Sequence, residues 1–133
     1  MGTRSLTVVL NGRGEEIITL YRQYDGYPTG HGEELKMFLE DFQICNGIGL
    51  QQDTGKWANG MECLAAQIVT HFKKEIGQLY KPTTRDVGEE FIYTIKESAE
   101  HDLDVEIEAY GKLVYTGSFK DLVTSEVESK IGE

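Results

Sequence analysis

The sequence predicts an α+β fold: a mostly antiparallel sheet of about five strands, with helices packed on one face. Three observations carry this. Apolar and polar residues alternate near both ends of the chain, the signature of half-buried strands. Between those ends, apolar residues recur at helical spacing in two stripes. The resulting order, β-β-α-α-β-β-β-α, lacks the β-α-β alternation of a parallel nucleotide-binding sheet.

Residues 3–10 and 16–24 are expected to pair as a hairpin around Asn11-Gly12-Arg13-Gly14. A two-residue turn would set Val8 opposite Ile17 and Leu6 opposite Thr19. A three-residue loop over 12–14 would set Val8 opposite Ile18 and Leu6 opposite Leu20. The second register is preferred. It gathers Leu6, Val8, Leu10, Ile18 and Leu20 on one face, and Gly14 can supply the left-handed residue the loop needs. Continued to the open end, it brings Arg4 opposite Arg22 on the core face. Neither guanidinium can lose its proton, so an anion is expected between them. That anion is either a carboxylate of the chain, from Asp25, Glu33, Glu34 or Asp41, or the phosphate or carboxylate of a ligand.

Leu35, Phe38, Leu39 and Phe42 follow at the spacing of a short amphipathic helix. Residues 45–56 are polar and glycine-bearing, a loop. Trp57, Met61, Leu64, Ala65, Ile68 and Phe72 then mark one stripe of a longer helix reaching about Gly77. Pro82 and the run 83–88 punctuate the chain before a three-strand meander. Phe91, Tyr93 and Ile95 alternate with polar neighbours, as do Leu103, Val105 and Ile107 with Asp104, Glu106 and Glu108. Tyr110-Gly111 is a tight turn into residues 112–116. Ser118 is expected to cap a last helix, with Asp121 at its third position and Phe119, Leu122, Val123 and Val127 on its inner face.

The 133 residues are the size of a single domain, taken as residues 1–133. A formal charge of −10 argues against direct nucleic-acid binding, which wants a basic face. It suits a well-solvated surface, or one that docks on a basic partner. No apolar run approaches the ~18 residues that span a bilayer, so no membrane partner is expected. The start, Met-Gly-Thr-Arg-Ser, lacks the apolar segment of a signal peptide, and a cytoplasmic location is expected. Cys45 and Cys63 lack redox-motif spacing and fit free thiols of a reducing compartment, although a disulfide between them is conceivable. Strand 112–116 could pair between copies, which leaves homo-oligomers open.

Residues 21–34, Tyr-Arg-Gln-Tyr-Asp-Gly-Tyr-Pro-Thr-Gly-His-Gly-Glu-Glu, are the strongest site candidate. A strand-to-helix turn of this composition gathers donors, backbone N–H groups and aromatic faces in a small volume. Its ligand-binding candidates are Arg4, Arg22, Asp25, Tyr27, His31 and Trp57. The arginines would grip an anion, and Tyr27 or Trp57 would stack on a ring. His31 with Asp25 could form an acid–base pair, or His31 could simply hydrogen-bond the loop. Ser5, placed on the outward face mid-strand, completes the residue types of a hydrolytic triad without a nucleophile elbow. The three histidines are not spaced as paired ligands, so no zinc site and no cofactor are expected.

The opening Met-Gly-Thr-Arg-Ser, then Tyr-Arg-Gln-Tyr-Asp-Gly-Tyr-Pro, Gly-His-Gly and a leucine-containing helix, resembles a group of small phage and mobile-element proteins of no known activity. The likeness spans residues 1–40 and implies a phage-type source, with Thr3, Arg4, Ser5, Arg22, Asp25, Gly26 and Tyr27 as its signature. The favoured expectation is a non-enzymatic phage-type binding protein holding a small anionic, nucleotide-like ligand in the host cytoplasm, in the service of countering host defence. A second is an acidic inhibitor that masks a basic host protein through Asp104, Glu106, Glu108 and the C-terminal helix. The third, less favoured for want of a nucleophile or metal, is a small hydrolase using His31 and Asp25.

Overall fold

The computed structural model describes residues 2–45, 56–74, 79 and 87–131. Two strands open the chain, β1 (Ser5–Leu10) and β2 (Glu16–Arg22), and a π-helical turn (Pro28–Gly32) leads into α1 (Glu33–Leu39). Two three-residue strands, β3 (Gln43–Cys45) and β4 (Trp57–Asn59), precede α2 (Gly60–Phe72). The meander β5 (Phe91–Ser98), β6 (Asp102–Ala109) and β7 (Lys112–Ser118) follows, and α3 (Thr124–Lys130) comes last.

The main sheet has the order β2-β1-β5-β6-β7. All its pairings are antiparallel except β1 with β5, which is parallel. The fold is therefore α+β with a mixed, mostly antiparallel sheet. β3 and β4 form a separate small parallel pair that the sequence pattern does not reveal. Leu35 and Leu39 of α1, Met61, Leu64 and Ile68 of α2 and Val127 of α3 join one core with Val9, Leu20, Tyr93, Ile95, Val105 and Ile107 of the sheet. Each such fully buried side chain contributes roughly 1.5–3 kcal/mol relative to exposure.

β5 and β6 follow the expected alternation, Tyr110 and Gly111 turn with φ of 52° and 83°, and β7 pairs with β6 through a bulge without clean alternation. The first hairpin takes neither register weighed from sequence. Val8 pairs with Thr19, Leu6 with Tyr21 and Ser5 with Arg22, and a bulge brings Leu10 to Glu16. The reason is the position of β1. It is buried on both faces: Leu6 and Val8 on one, Ser5, Thr7 and Val9 toward the helices. Its apolar alternation thus marks the face away from the helices. Gly14 does adopt the left-handed conformation the loop needs (φ 81°), while the Asn11 side chain accepts the backbone N–H groups of Arg13 and Glu15.

Helix boundaries also differ. Trp57 belongs to β4, and α2 begins three residues later at Gly60. Phe42 lies just past α1 but is buried with it. Ser118 ends β7, and its hydroxyl accepts the N–H of Asp121 in a turn before α3, leaving Val123 exposed. The expected loop at 45–56 has Cys45 in β3, and α2 ends at Phe72, short of the expected Gly77, as Lys73 leaves the helical conformation. Residues 46–55 and the Pro82 region lie outside the described residues.

Candidate functional site

The site begins where β2 ends. Asp25 turns the chain with φ of 61°, a conformation that Asp tolerates through its short polar side chain. Gly26 then comes so close to β1 that a Cβ there would lie 2.8 Å from Ser5 Oγ and from the Thr3 carbonyl. Only glycine fits. Its N–H donates to the Thr3 carbonyl at 3.0 Å, and its carbonyl accepts the Tyr93 hydroxyl at 2.6 Å. The segment 24–27 is thereby stitched to the central strands.

From this anchor the π-helical turn carries His31 inward, where it is 1% exposed. The ring packs edge-on against Phe72 and Tyr93, both at 5.4 Å between centroids. Arg22 Nη1 lies 2.9 Å from His31 Nδ1, and Thr7 Oγ1 lies 2.8 Å from Nε2. A guanidinium can only donate, so Nδ1 accepts and the ring's single proton sits on Nε2, donated to Thr7. Burial, and then the charge of Arg22, push the His31 pKa down to about 3. His31 is neutral and fully bonded across the physiological range.

Arg22 is the hinge between this buried relay and the surface. Its Nε donates to the Tyr24 carbonyl at 2.7 Å, and its Nη1 also donates to Glu34 at 2.7 Å. Beyond it opens a cleft of about 690 Å³. Arg22, Lys56 and Lys74 line it against the carboxylates of Asp25 and Glu34, three positive charges to two negative. Its apolar lining comes from Tyr24, Met37, Phe38, Phe72 and Leu79. Phe38 and the exposed His71 stack in parallel, 3.9 Å apart and tilted by 8°, and both border the cleft. Partial burial, then Lys74, lowers the His71 pKa, so this platform carries a neutral ring at neutral pH.

Of the residues singled out from sequence, Arg22, Asp25 and His31 line this cleft; Arg4, Tyr27 and Trp57 do not. Arg4 and Arg22 do not converge, because Ser5 takes the place opposite Arg22. The Arg4 guanidinium lies instead against Gly88, where a Cβ would meet Nη1 at 2.7 Å. The anion on Arg22 is Glu34, one of the four carboxylates foreseen. Tyr27 donates its hydroxyl to Asp25 at 3.2 Å, and the nearby carboxylate raises its pKa. Trp57 has its carbonyl bonded to Gln67, while its buried Nε1 finds no partner among the described residues.

The acid–base pair is not assembled. Asp25 and His31 meet only through the backbone, His31 N–H to Asp25 carbonyl at 2.8 Å, and both ring nitrogens are engaged elsewhere. Ser5 is fully buried toward the helices, not outward, and the hydroxyl on His31 is that of Thr7. With its Nε2 already protonated, His31 cannot take the Thr7 proton. Thr7, Phe38, His71 and Lys56 were not legible as site residues. Phe38 reads as one of the packing positions of its helix and His71 lies outside the apolar stripe of its own, so only their meeting in the folded chain stacks them.

Elsewhere, a cavity of about 470 Å³ is lined by Glu40, Asp41, Asp102 and Asp121 with His101 and Lys120, a poor host for an anion. Among the described residues no three His, Cys, Asp or Glu side chains group as metal ligands. Cys45 and Cys63 are half-buried and not joined in a disulfide. In the outward acidic row, Glu106 pairs with Lys96 at 2.6 Å and Asp104 with His101 at 2.9 Å, while Glu128 of α3 accepts from Thr29. No helix among the described residues is long and apolar enough to cross a membrane. Compared with family models, curated proteins and solved structures, the chain matches none.

Proposed function

We propose that this is a non-enzymatic binding protein whose cleft takes a small anionic ligand with a planar apolar part, a nucleotide-like molecule. The observation that carries the reading is the cleft's composition. On a chain of net charge −10, this cavity gathers three cations against two carboxylates, beside a stacked Phe38–His71 pair. A fixed guanidinium suits an anionic group and a neutral aromatic platform suits a base. Such mostly apolar concavities with a few convergent polar groups are the usual form of ligand sites. His31 serves as a positioning residue for Arg22, and the absence of an Asp25–His31 side-chain contact weighs against hydrolysis.

A phage-type role against host defence fits this reading, since capture of a small nucleotide signal needs binding without turnover; its support is the resemblance of residues 1–40. Masking of a basic host protein has less support, because two carboxylates of the outward row are already paired.

Calorimetry with a panel of mononucleotides tests the proposal. Binding is expected, and His71→Ala should weaken it about tenfold, in line with ~1–3 kcal/mol for stacking of one base. No heat from any nucleotide, or unchanged affinity in His71→Ala, would overturn the reading.

A further inference from the structure

The way Arg22 is held points to the kind of anion this cleft accepts, an inference that rests on the cleft being an anion site. Three acceptors bind the guanidinium, and they are unequal. The Tyr24 carbonyl and His31 Nδ1 are both neutral, at 2.7 and 2.9 Å. They fix the group in place and leave its charge uncancelled. The third is the Glu34 carboxylate, in an uneven fork: Nη1 to Oε1 at 2.7 Å, Nη2 to Oε2 at 3.5 Å. The Arg22 side chain is 17% exposed and that of Glu34 51%. The outer carboxylate can therefore swing away while the guanidinium stays where His31 and Tyr24 hold it.

We propose that Glu34 occupies Arg22 in place of the guest, and that the guest is a phosphate monoester whose terminal phosphate displaces it. The argument is one of competition. Glu34 is tethered beside Arg22, which gives it an effective concentration in the millimolar range or above. A carboxylate or phosphodiester brings a single negative charge. It would exchange like for like against a tethered rival and lose the entropy of association. A phosphate monoester carries about −1.5 to −2 charges near neutral pH and three strong acceptor oxygens. It can take both Nη1 and Nη2 and still present an oxygen to Lys56, which lines the same cleft. Glu34 thus acts as a threshold: it lowers the affinity of every guest that must displace it, and a dianion keeps useful binding where a monoanion does not. The planar part of the guest then lies toward Phe38 and His71, which makes the ligand class a mononucleotide.

The test compares 5′-AMP with 3′,5′-cyclic AMP by calorimetry near neutral pH, on the wild-type protein and on Glu34→Gln. Glu34 is half exposed, and circular dichroism checks that the variant keeps its fold. The wild type is expected to prefer the monoester about tenfold, a difference of ~1.4 kcal/mol. In Glu34→Gln both ligands should bind about tenfold more tightly, 5′-AMP gaining at least as much as the diester, because each is released from the same competitor. Equal wild-type affinities for the two ligands, or an affinity for 5′-AMP that does not rise in Glu34→Gln, would overturn this inference while nucleotide binding by the wild type left the cleft reading standing. Binding of neither ligand to either protein would overturn both.

Discussion

The two halves of the sheet solve different problems with the same inward face. Along the meander, the residues turned to the helices are Phe91, Tyr93, Ile95, Leu103, Val105, Ile107 and Ala109, all buried. Along the hairpin the corresponding positions are Ser5, Thr7 and Val9 on β1, with Ile18, Leu20 and Arg22 on β2. One half is a plain apolar bed on which the helices rest. The other replaces part of that bed with hydroxyls and a guanidinium, which are costly to bury unless paired. Most are paired, through His31, and the pairing leaves Arg22 one position. The apolar half gives the molecule its stability; the polar half gives the cleft its fixed charge.

That division can be broken at several points. The largest effect is expected in the apolar half: Ile107→Ala should cost about 4 kcal/mol of unfolding free energy in urea titrations. Ligand affinity of the protein that remains folded should not change. A loss below about 1 kcal/mol would mean that this bed is not the main source of stability.

The polar half should announce itself through pH. The His31 pKa lies near 3 in the folded chain, below the ordinary histidine value of 6.5. The unfolded chain therefore binds a proton that the native ring refuses. Its stability contribution is complete above pH 6.5 and falls as the pH drops toward 3, by up to ~1.4 kcal/mol per pH unit. Between pH 6.5 and 5 the wild type should lose about 2 kcal/mol, and His31→Asn, which cannot titrate, should show a flatter profile. Equal slopes would show that the ring is not held neutral.

The smallest effect belongs to the surface of the meander. His101 is exposed, and its pKa is raised chiefly by the hydrogen bond to Asp104. A raised value stabilises below the ordinary histidine pKa and is lost as the pH climbs through the raised one. His101→Gln should thus lower Tm slightly at pH 6 and leave it unchanged at pH 9. A difference that persists at pH 9 would mean the bond to Asp104 matters without its charge.

What the sequence discloses follows the same line. Leu103, Val105 and Ile107 alternate with carboxylates because β6 is buried on one face only, so strand, face and turn could all be read. The pattern of β1 misleads because this strand is buried on both faces, so its alternation does not tell which face meets the helices. Its parallel partner β5 leaves no local mark, and neither do three-residue strands such as β3 and β4. Residues 21–34 could be picked out as a site by their composition. The direction of His31 could not, since it depends on a π-helical turn and on the closeness of Gly26 to Ser5. Arg22 was legible as a charge seeking a partner, but that Glu34 provides it is settled by how α1 leaves the turn.

The parallel pairing of β1 with β5 also bears on how the chain reaches this state. β1 needs a neighbour that is synthesised long after it, since Ser5 pairs with Phe91 and Val9 with Ile95. Until Phe91–Ser98 emerges, the hairpin keeps one long hydrogen-bonding edge bare, with Leu6, Val8 and Val9 along it. Contacts of such sequence separation close slowly, and open strand edges recruit other chains. The step that completes the sheet is the one most open to intermolecular competition, and crowded or stalled synthesis would reduce the folded yield there first.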